Sequence, residues 1–315
     1  ILLPSDSLII NPGTEIRFDG GYKFDIFGYF HSVGTEADSI KFTKTDSSDV
    51  NWLSLNFADA SNDDSRLEYS IVEYASESGY DPYNAAINCN QSSPLIAHNT
   101  IRYCTYDAVY LYGSNSEITG NTFQSIQGDA IEGDVNSVVS ITYNTFNEID
   151  TRGVFLDSGS GSVVSHNTFY DVYNGAIEFD EGFNSDVSNN TITNISGTGI
   201  DIGNASGSTI NDNFIHDTGG HGITSDQAMT TLISGNTIWS DVSGDYSSGI
   251  QISNADSLTI ESNEIQGYEY AYIYIYDVYN SDIENNDLFG YIENGETVAS
   301  PNDGIKIASY SNNLK

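Results

Sequence analysis

An asparagine returns at a nearly fixed interval through most of this 315-residue chain, at Asn99, Asn121, Asn144, Asn167, Asn190, Asn213, Asn236, Asn263 and Asn286. The steps are 22 or 23 residues, with one of 27 between Asn236 and Asn263. Three residues before each Asn stands Ile or Val, and two residues after it stands Ile, Phe or Leu. A phase kept this long means that one short supersecondary unit repeats. Such a unit buries its apolar side only by stacking on its neighbours, so the chain must be a solenoid.

Two solenoids fit a period near 23. A leucine-rich repeat wants Leu-x-Leu before its Asn and a helical return. Here Ser116, Ser162, Ser185 and Ser208 occupy the position five before the Asn, and Ile outnumbers Leu 35 to 13. No stretch carries apolar residues at helical spacing, whereas short alternating Ile/Val segments are parted by Gly, Asn, Ser and Asp, the pattern of strands and turns. Nine residues after the Asn a further strand begins, as in Gly153-Val154-Phe155-Leu156, Ala176-Ile177-Glu178-Phe179 and Gly199-Ile200-Asp201-Ile202. The expected fold is therefore all-β: a right-handed parallel β-helix of about 12–13 coils with an Asn ladder. Residues 1–85 form less regular N-terminal coils and 86–315 the regular ones, in one continuous domain. Loop insertions are expected near 241–247 and 291–302, where the offset to the next strand grows. The ladder asparagines are structural, since stacked amides can bond one another along the axis.

Charge narrows the partners. Forty-five Asp and Glu against nine Lys and Arg give a net charge of −36. That excludes an unaided nucleic-acid binder and argues against an anionic membrane surface. No apolar run approaches the roughly 20 residues of a spanning helix, so no membrane insertion is expected. With 22 Tyr and 14 Phe the chain is not an acidic disordered tail. Cys89 and Cys104 fall in apolar repeat positions and read as buried free thiols.

The Asn-Thr-Ile/Phe and Gly-Ile-x-Ile repeats resemble the parallel β-helix repeat family of the pectin-lyase-like superfamily. The opening Pro12-Gly13-Thr14-Glu15-Ile16-Arg17-Phe18, with Val33-Gly34-Thr35-Glu36 and Ile40-Lys41-Phe42-Thr43, resembles the first coils of its secreted bacterial members. The resemblance implies an extracellular or cell-surface location and a functional face on the Gly-Ile-x-Ile sheet. It does not fix an activity, because the superfamily holds lyases, hydrolases, epimerases and scaffolds. Gly220-His221-Gly222 is similar to the Gly-His-Gly element of polygalacturonases, and Gly304-Ile305-Lys306-Ile307 to their Arg-Ile-Lys, but their Asn-Thr-Asp and Asp-Asp motifs have no match. Tyr80-Asp81-Pro82-Tyr83 resembles the Asp-Pro-His motif of alginate epimerases, with Tyr83 in place of the His.

The outward column of that sheet reads Asn88, Tyr110, Glu132, Phe155, Glu178, Asp201, Thr224, Gln251, Tyr274 and Lys306. The next outward column includes Tyr112, Asp134, Asp157, Asp180, Asp226 and Tyr276, and the column before the strand includes Asp107, Asp129, Arg152 and His221. Carboxylates stacked one coil apart repel, so some must hold protons, bind cations or splay into solvent. Glu178 and Asp201 are the candidate acid/base pair, with His221 and Arg152 beside them as further catalytic candidates. Glu132, Asp134, Asp157 and Asp180 are candidate ligands for Ca²⁺, the ion that hard oxygen donors suit, although no cofactor is required. Tyr110, Tyr112, Tyr274 and Tyr276 are candidate ligand platforms.

The main expectation is an extracellular scaffold or surface protein, presenting an acidic, Tyr-flanked face to a neutral glycan or to like subunits and surface proteins. Ends that stop in mid-coil fit either a segment of a larger protein or ends that stack on neighbours. The alternative is a secreted polysaccharide-active enzyme, a glycoside hydrolase or lyase-like, using the same face.

Overall fold

The computed structural model describes residues 1–59, 61–75, 85–181, 183–204, 206–241, 246–289, 304–308 and 314, with backbone alone at 291–293, 296–299 and 303. The described residues form strands and turns with no helix, and so none long and apolar enough to cross a membrane. The chain divides into two compact units, Ile1–Phe155 and Leu156–Lys315. Each is a parallel β-solenoid whose coils contribute one strand to each of three sheets, about 12 coils in all.

One coil of the second unit shows the logic. Asp186–Ser188, Thr191–Ile195 and Thr198–Gly203 pair in parallel with Thr209–Asn211, Phe214–Thr218 and Ile223–Asp226 of the coil that follows. Val187 lies opposite Ile210, Ile192 opposite Ile215 and Ile200 opposite Ile223, all buried. Side chains alternate across a strand, so the period-two apolar positions all face the lumen. Each buried Ile contributes roughly 1.5–3 kcal/mol by leaving water. In the first unit Phe123 stacks on Phe146 with ring centroids 4.9 Å apart. Cys89 and Cys104 are free and buried, and burial pushes the Cys89 thiol up to about 12.

The bend between the first and second sheets explains the Asn repeat. The residue before each Asn is left-handed: His98, Gly120, Tyr143, His166, Asn189, Asp212, Gly235, Ser262 and Asn285 all have φ between 55 and 65°. That conformation costs a side-chain-bearing residue about 1–2 kcal/mol, least for Asn and Asp. It turns the following Asn inward, where its amide bonds in several directions. Asn213 Oδ1 accepts the backbone N–H of Asn190 (3.0 Å) and its Nδ2 (3.0 Å). Asn213 Nδ2 donates to the Val187 carbonyl (2.9 Å) and to Asn236 Oδ1 (3.0 Å). Buried pairs of this kind run from Asn99 to Asn144 in the first unit and from Asn167 to Asn286 in the second. In the coil before Asn99, Ser70 takes the position, its N–H donating to Asn99 Oδ1 at 2.8 Å.

The insertion near 291–302 contains an antiparallel pair, Tyr291–Glu293 with Glu296–Ala299, before Asp303–Ala308 rejoins the third sheet beside Ala271–Tyr276. The centre of the insertion near 241–247 lies outside the described residues. Strands after such turns begin with Gly for steric reasons. A Cβ on Gly222 or Gly249 would collide with Ile238 or Ile265.

Replacing Asn213 with Ala strands the buried amide of Asn190 and the Val187 carbonyl together. The expected loss is about 2–4 kcal/mol of unfolding free energy, each orphaned group costing about 1–3 kcal/mol. Urea unfolding of Asn213→Ala beside the wild type measures it. An unchanged midpoint would deny the Asn column its structural role.

Candidate active site

The outer face of the third sheet carries two carboxylate clusters, one in each unit. In the first unit the cluster is built on Asp107–Tyr112, Ile131–Asp134 and the start of Arg152–Leu156. Asp129, 4% exposed, is its anchor. Its carboxylate accepts from Arg152 Nε (3.1 Å) and Nη2 (2.7 Å), from the Arg152 backbone N–H (2.9 Å) and from the Thr151 hydroxyl (2.5 Å). The Arg152 guanidinium also lies 3.5 Å from the Phe155 ring centroid, a cation–π contact that fixes its plane. Asp107 Oδ1 accepts the Asp129 N–H at 2.7 Å.

Carboxyl oxygens of Glu132 and Asp107 lie within 4.8 Å of each other, where two full negative charges repel. Burial first, and then Asp107, push Glu132 up to about 8, and burial raises Asp107 as well. The pair therefore retains one proton at neutral pH. Oxygens of Asp107, Asp129 and Glu132 lie within 4.8 Å of one another, close enough to hold one divalent ion. Arg152 already supplies one positive charge there through its ion pair with Asp129.

In the second unit Glu178 of Gly175–Phe179 lies opposite Asp201 of Thr198–Gly203, one coil apart and in register. Thr224 follows Asp201 in the column, and Asp226 lies opposite Gly203. Burial, then the charges of Glu178, Asp180 and Asp226, push Asp201 up to about 7. Burial would also raise Asp226. Hydrogen bonds from Asn254 Nδ2 (2.7 Å), Ser253 Oγ (2.9 Å) and Gln227 outweigh it and hold Asp226 below the usual carboxylate range. Asp226 thus stays charged, which helps keep Asp201 protonated. His221 Nδ1 accepts the Ser248 N–H at 3.0 Å, and burial lowers its pKa. An imidazole accepting at Nδ1 carries its proton on Nε2, so His221 is a neutral donor.

The other sequence candidates fall as follows. Glu132 and Asp134 belong to the first unit, Asp157 and Asp180 to the second, where the Glu181 N–H donates to the Asp157 carbonyl at 2.9 Å. Among the described residues, the three acidic side chains close enough to share an ion are instead Asp107, Asp129 and Glu132. Tyr110 departs from the expectation of an open platform: it is 6% exposed, and its hydroxyl donates to Asp134 at 2.6 Å. Tyr112 is half-buried. Tyr276 is exposed, and Tyr274 packs edge-on against Tyr270, over which Lys306 Nζ lies 4.1 Å from the ring centroid. Tyr80-Asp81-Pro82-Tyr83 lies outside the described residues. Asp107 and Asp129 stood in the column before the strand, but no motif marked them out; their partnership comes from the turn at Gly128, where a Cβ would strike Asp107.

The folded protein binds more protons than the unfolded chain wherever a carboxyl is raised, so these groups lower stability as pH rises. The unfolding midpoint is expected to fall from about pH 4, where free carboxyls ionise, to about pH 8. Asp201→Asn combined with Glu132→Gln should flatten that part of the profile in calorimetry. The same slope in the variant would mean that neither carboxyl carries the shift.

A family profile for a right handed β-helix region matches residues 25–192 and 85–238. Among curated proteins there is no match. The catalytic unit of a thermostable GH87 α-1,3-glucanase from Streptomyces thermodiastaticus superposes with a TM-score of 0.67 at 12% identity, over 100% of this chain and 64% of that one. A double mutant of the periplasmic alginate epimerase AlgG gives 0.62 at 13% identity, over 93% and 78%. A mannuronic acid specific polysaccharide family 6 lyase from human gut microbiota gives 0.59 at 12%, over 95% and 78%. At these identities the likeness is one of fold.

Proposed function

The chain belongs to the right-handed β-helix family, and from that premise we propose that it is a polysaccharide-active enzyme, a glycoside hydrolase with Asp201 as its general acid and base and Glu178 as its nucleophile. The observation that carries the reading is Asp201, a carboxyl pushed up to about 7, in register with Glu178 one coil away. A carboxyl that keeps its proton near neutrality beside a second carboxyl suits the acid of a glycosidase. The fold neighbours, a glucanase, an epimerase and a lyase, support an enzyme over a scaffold. Export from the cytoplasm belongs to the same reading, the epimerase neighbour being periplasmic.

In the proposed reaction Asp201 gives its proton to the glycosidic oxygen as the bond to the anomeric carbon breaks. With Glu178 and Asp201 in register on neighbouring coils, the proposed reaction takes the retaining course. Glu178 then attacks the anomeric carbon to form a glycosyl ester. Asp201, now a carboxylate, takes a proton from water, whose oxygen displaces Glu178 and regenerates both groups. His221 serves as a neutral donor to a sugar oxygen, while Arg152 is engaged with Asp129 in the first unit. A net charge of −36 repels a densely charged polyuronate, so the cleaved backbone is a neutral glycan.

Reducing-end release from a panel of neutral glucans, xylans and mannans tests this. The rate should fall above about pH 7 as Asp201 loses its proton. Asp201→Asn should lower kcat about 10²–10⁴-fold, the usual worth of a general acid or base, and Glu178→Gln, which removes the nucleophile, by at least as much. Wild-type rates in both variants would end the assignment.

A further inference from the structure

A second surface, on the second sheet of the first unit, gathers cations among its acids, Arg17, Lys41 and Lys44 beside Glu15, Asp46 and Glu73. Four of the nine Lys and Arg of the chain, Arg17, Lys41, Lys44 and Arg102, lie on its strands Glu15–Phe18, Ile40–Lys44 and Thr100–Cys104. Three of them, Arg17, Lys41 and Lys44, line a cleft of about 430 Å³ with Glu73, Tyr74 and Asp46. The buried Glu73 carboxylate is spoken for. Oε1 takes Lys41 (2.6 Å) and the Thr43 hydroxyl (2.9 Å), and Oε2 takes Arg102 (2.7 Å). Among the described residues Arg17 is met by exposed acids, Glu15 at 3.1 Å and Asp46 at 3.4 Å, the latter 98% exposed. Lys44 makes no ion pair among the described residues; its ammonium lies 5.3 Å from the Tyr74 ring, which stacks on Tyr103.

We infer that this cleft binds an isolated uronate sugar carried by an otherwise neutral polysaccharide. Lys44 and Arg17 take the sugar carboxylate, the exchange with Asp46 costing little because that acid returns to water. The Glu15 carboxylate and the Thr45 and Ser48 hydroxyl oxygens, whose own protons go to Asp19 and the Val50 carbonyl, offer acceptors to the sugar hydroxyls. The interleaved acids, and the net charge of −36, reject ligands of dense negative charge such as nucleic acid or a polyphosphate. The inference goes beyond the Asp201–Glu178 pair and does not depend on it, since it concerns another sheet and is read by binding.

Calorimetric titration at low salt with an aldotetraouronic acid, one uronate on a neutral trisaccharide, tests it on the full chain. The carboxyl-reduced tetrasaccharide, and the acid titrated into Lys44→Ala or Arg17→Ala, should each bind at least about tenfold more weakly, as charge-assisted bonds are lost. Lys44→Arg should bind as the wild type does, and so should Asp201→Asn, even if it is inactive. Equal binding of the acid and its reduced form would overturn the inference. So would tight binding retained by both alanine variants, or inorganic sulfate binding as well as the oligosaccharide.

Discussion

Parallel pairing places equivalent residues of successive coils about 4.8 Å apart, so each side chain has as nearest neighbours the residues one period before and after it in sequence. A column must therefore suit its own repetition. Ile and Phe meet this by stacking, as Phe123 does on Phe146. Asn meets it because an amide both donates and accepts, so Asn190, Asn213 and Asn236 can satisfy one another and the backbone at once. The left-handed residue before each Asn is the conformational cost of presenting that amide inward.

Carboxylates meet the same constraint badly, and the chemistry of the outer face grows from that conflict. Where like charges are stacked and partly buried, a proton is retained: by Asp201 beside Glu178, Asp180 and Asp226, and by the Glu132–Asp107 pair. Where a cation is at hand the conflict is relieved otherwise, as Arg152 does for Asp129 and Lys41 with Arg102 do for Glu73. Scarce cations are thus spent on buried acids, and the charge-balanced cleft around Lys44 stands out against a chain of net charge −36.

Much of this was legible in sequence because a solenoid turns sequence period into spatial adjacency. The Asn repeat gave the three-sheet coil, and the Gly-Ile-x-Ile phase gave the register of Glu178 with Asp201. What the period could not give was depth. Tyr110 occupies an outward position yet is covered, its hydroxyl held by Asp134. Asp107 and Asp129 acquire their partnership from the turn at Gly128 and from Arg152, contacts that cross columns rather than follow them. The Lys44 cleft escaped notice because its cations come from the less regular N-terminal coils and their partner acids from several columns.

The central claim is that coil stacking holds the proton on Asp201 into the neutral range. Carbon-detected NMR of side-chain carboxyls, assigned by Asp201→Asn and followed from pH 3 to 9, measures it directly. A titration midpoint of about 7 for Asp201, moving down in Glu178→Gln as one repelling charge is removed, is the expected result. A midpoint near that of a free carboxyl, about 4, unchanged in Glu178→Gln, would contradict the account.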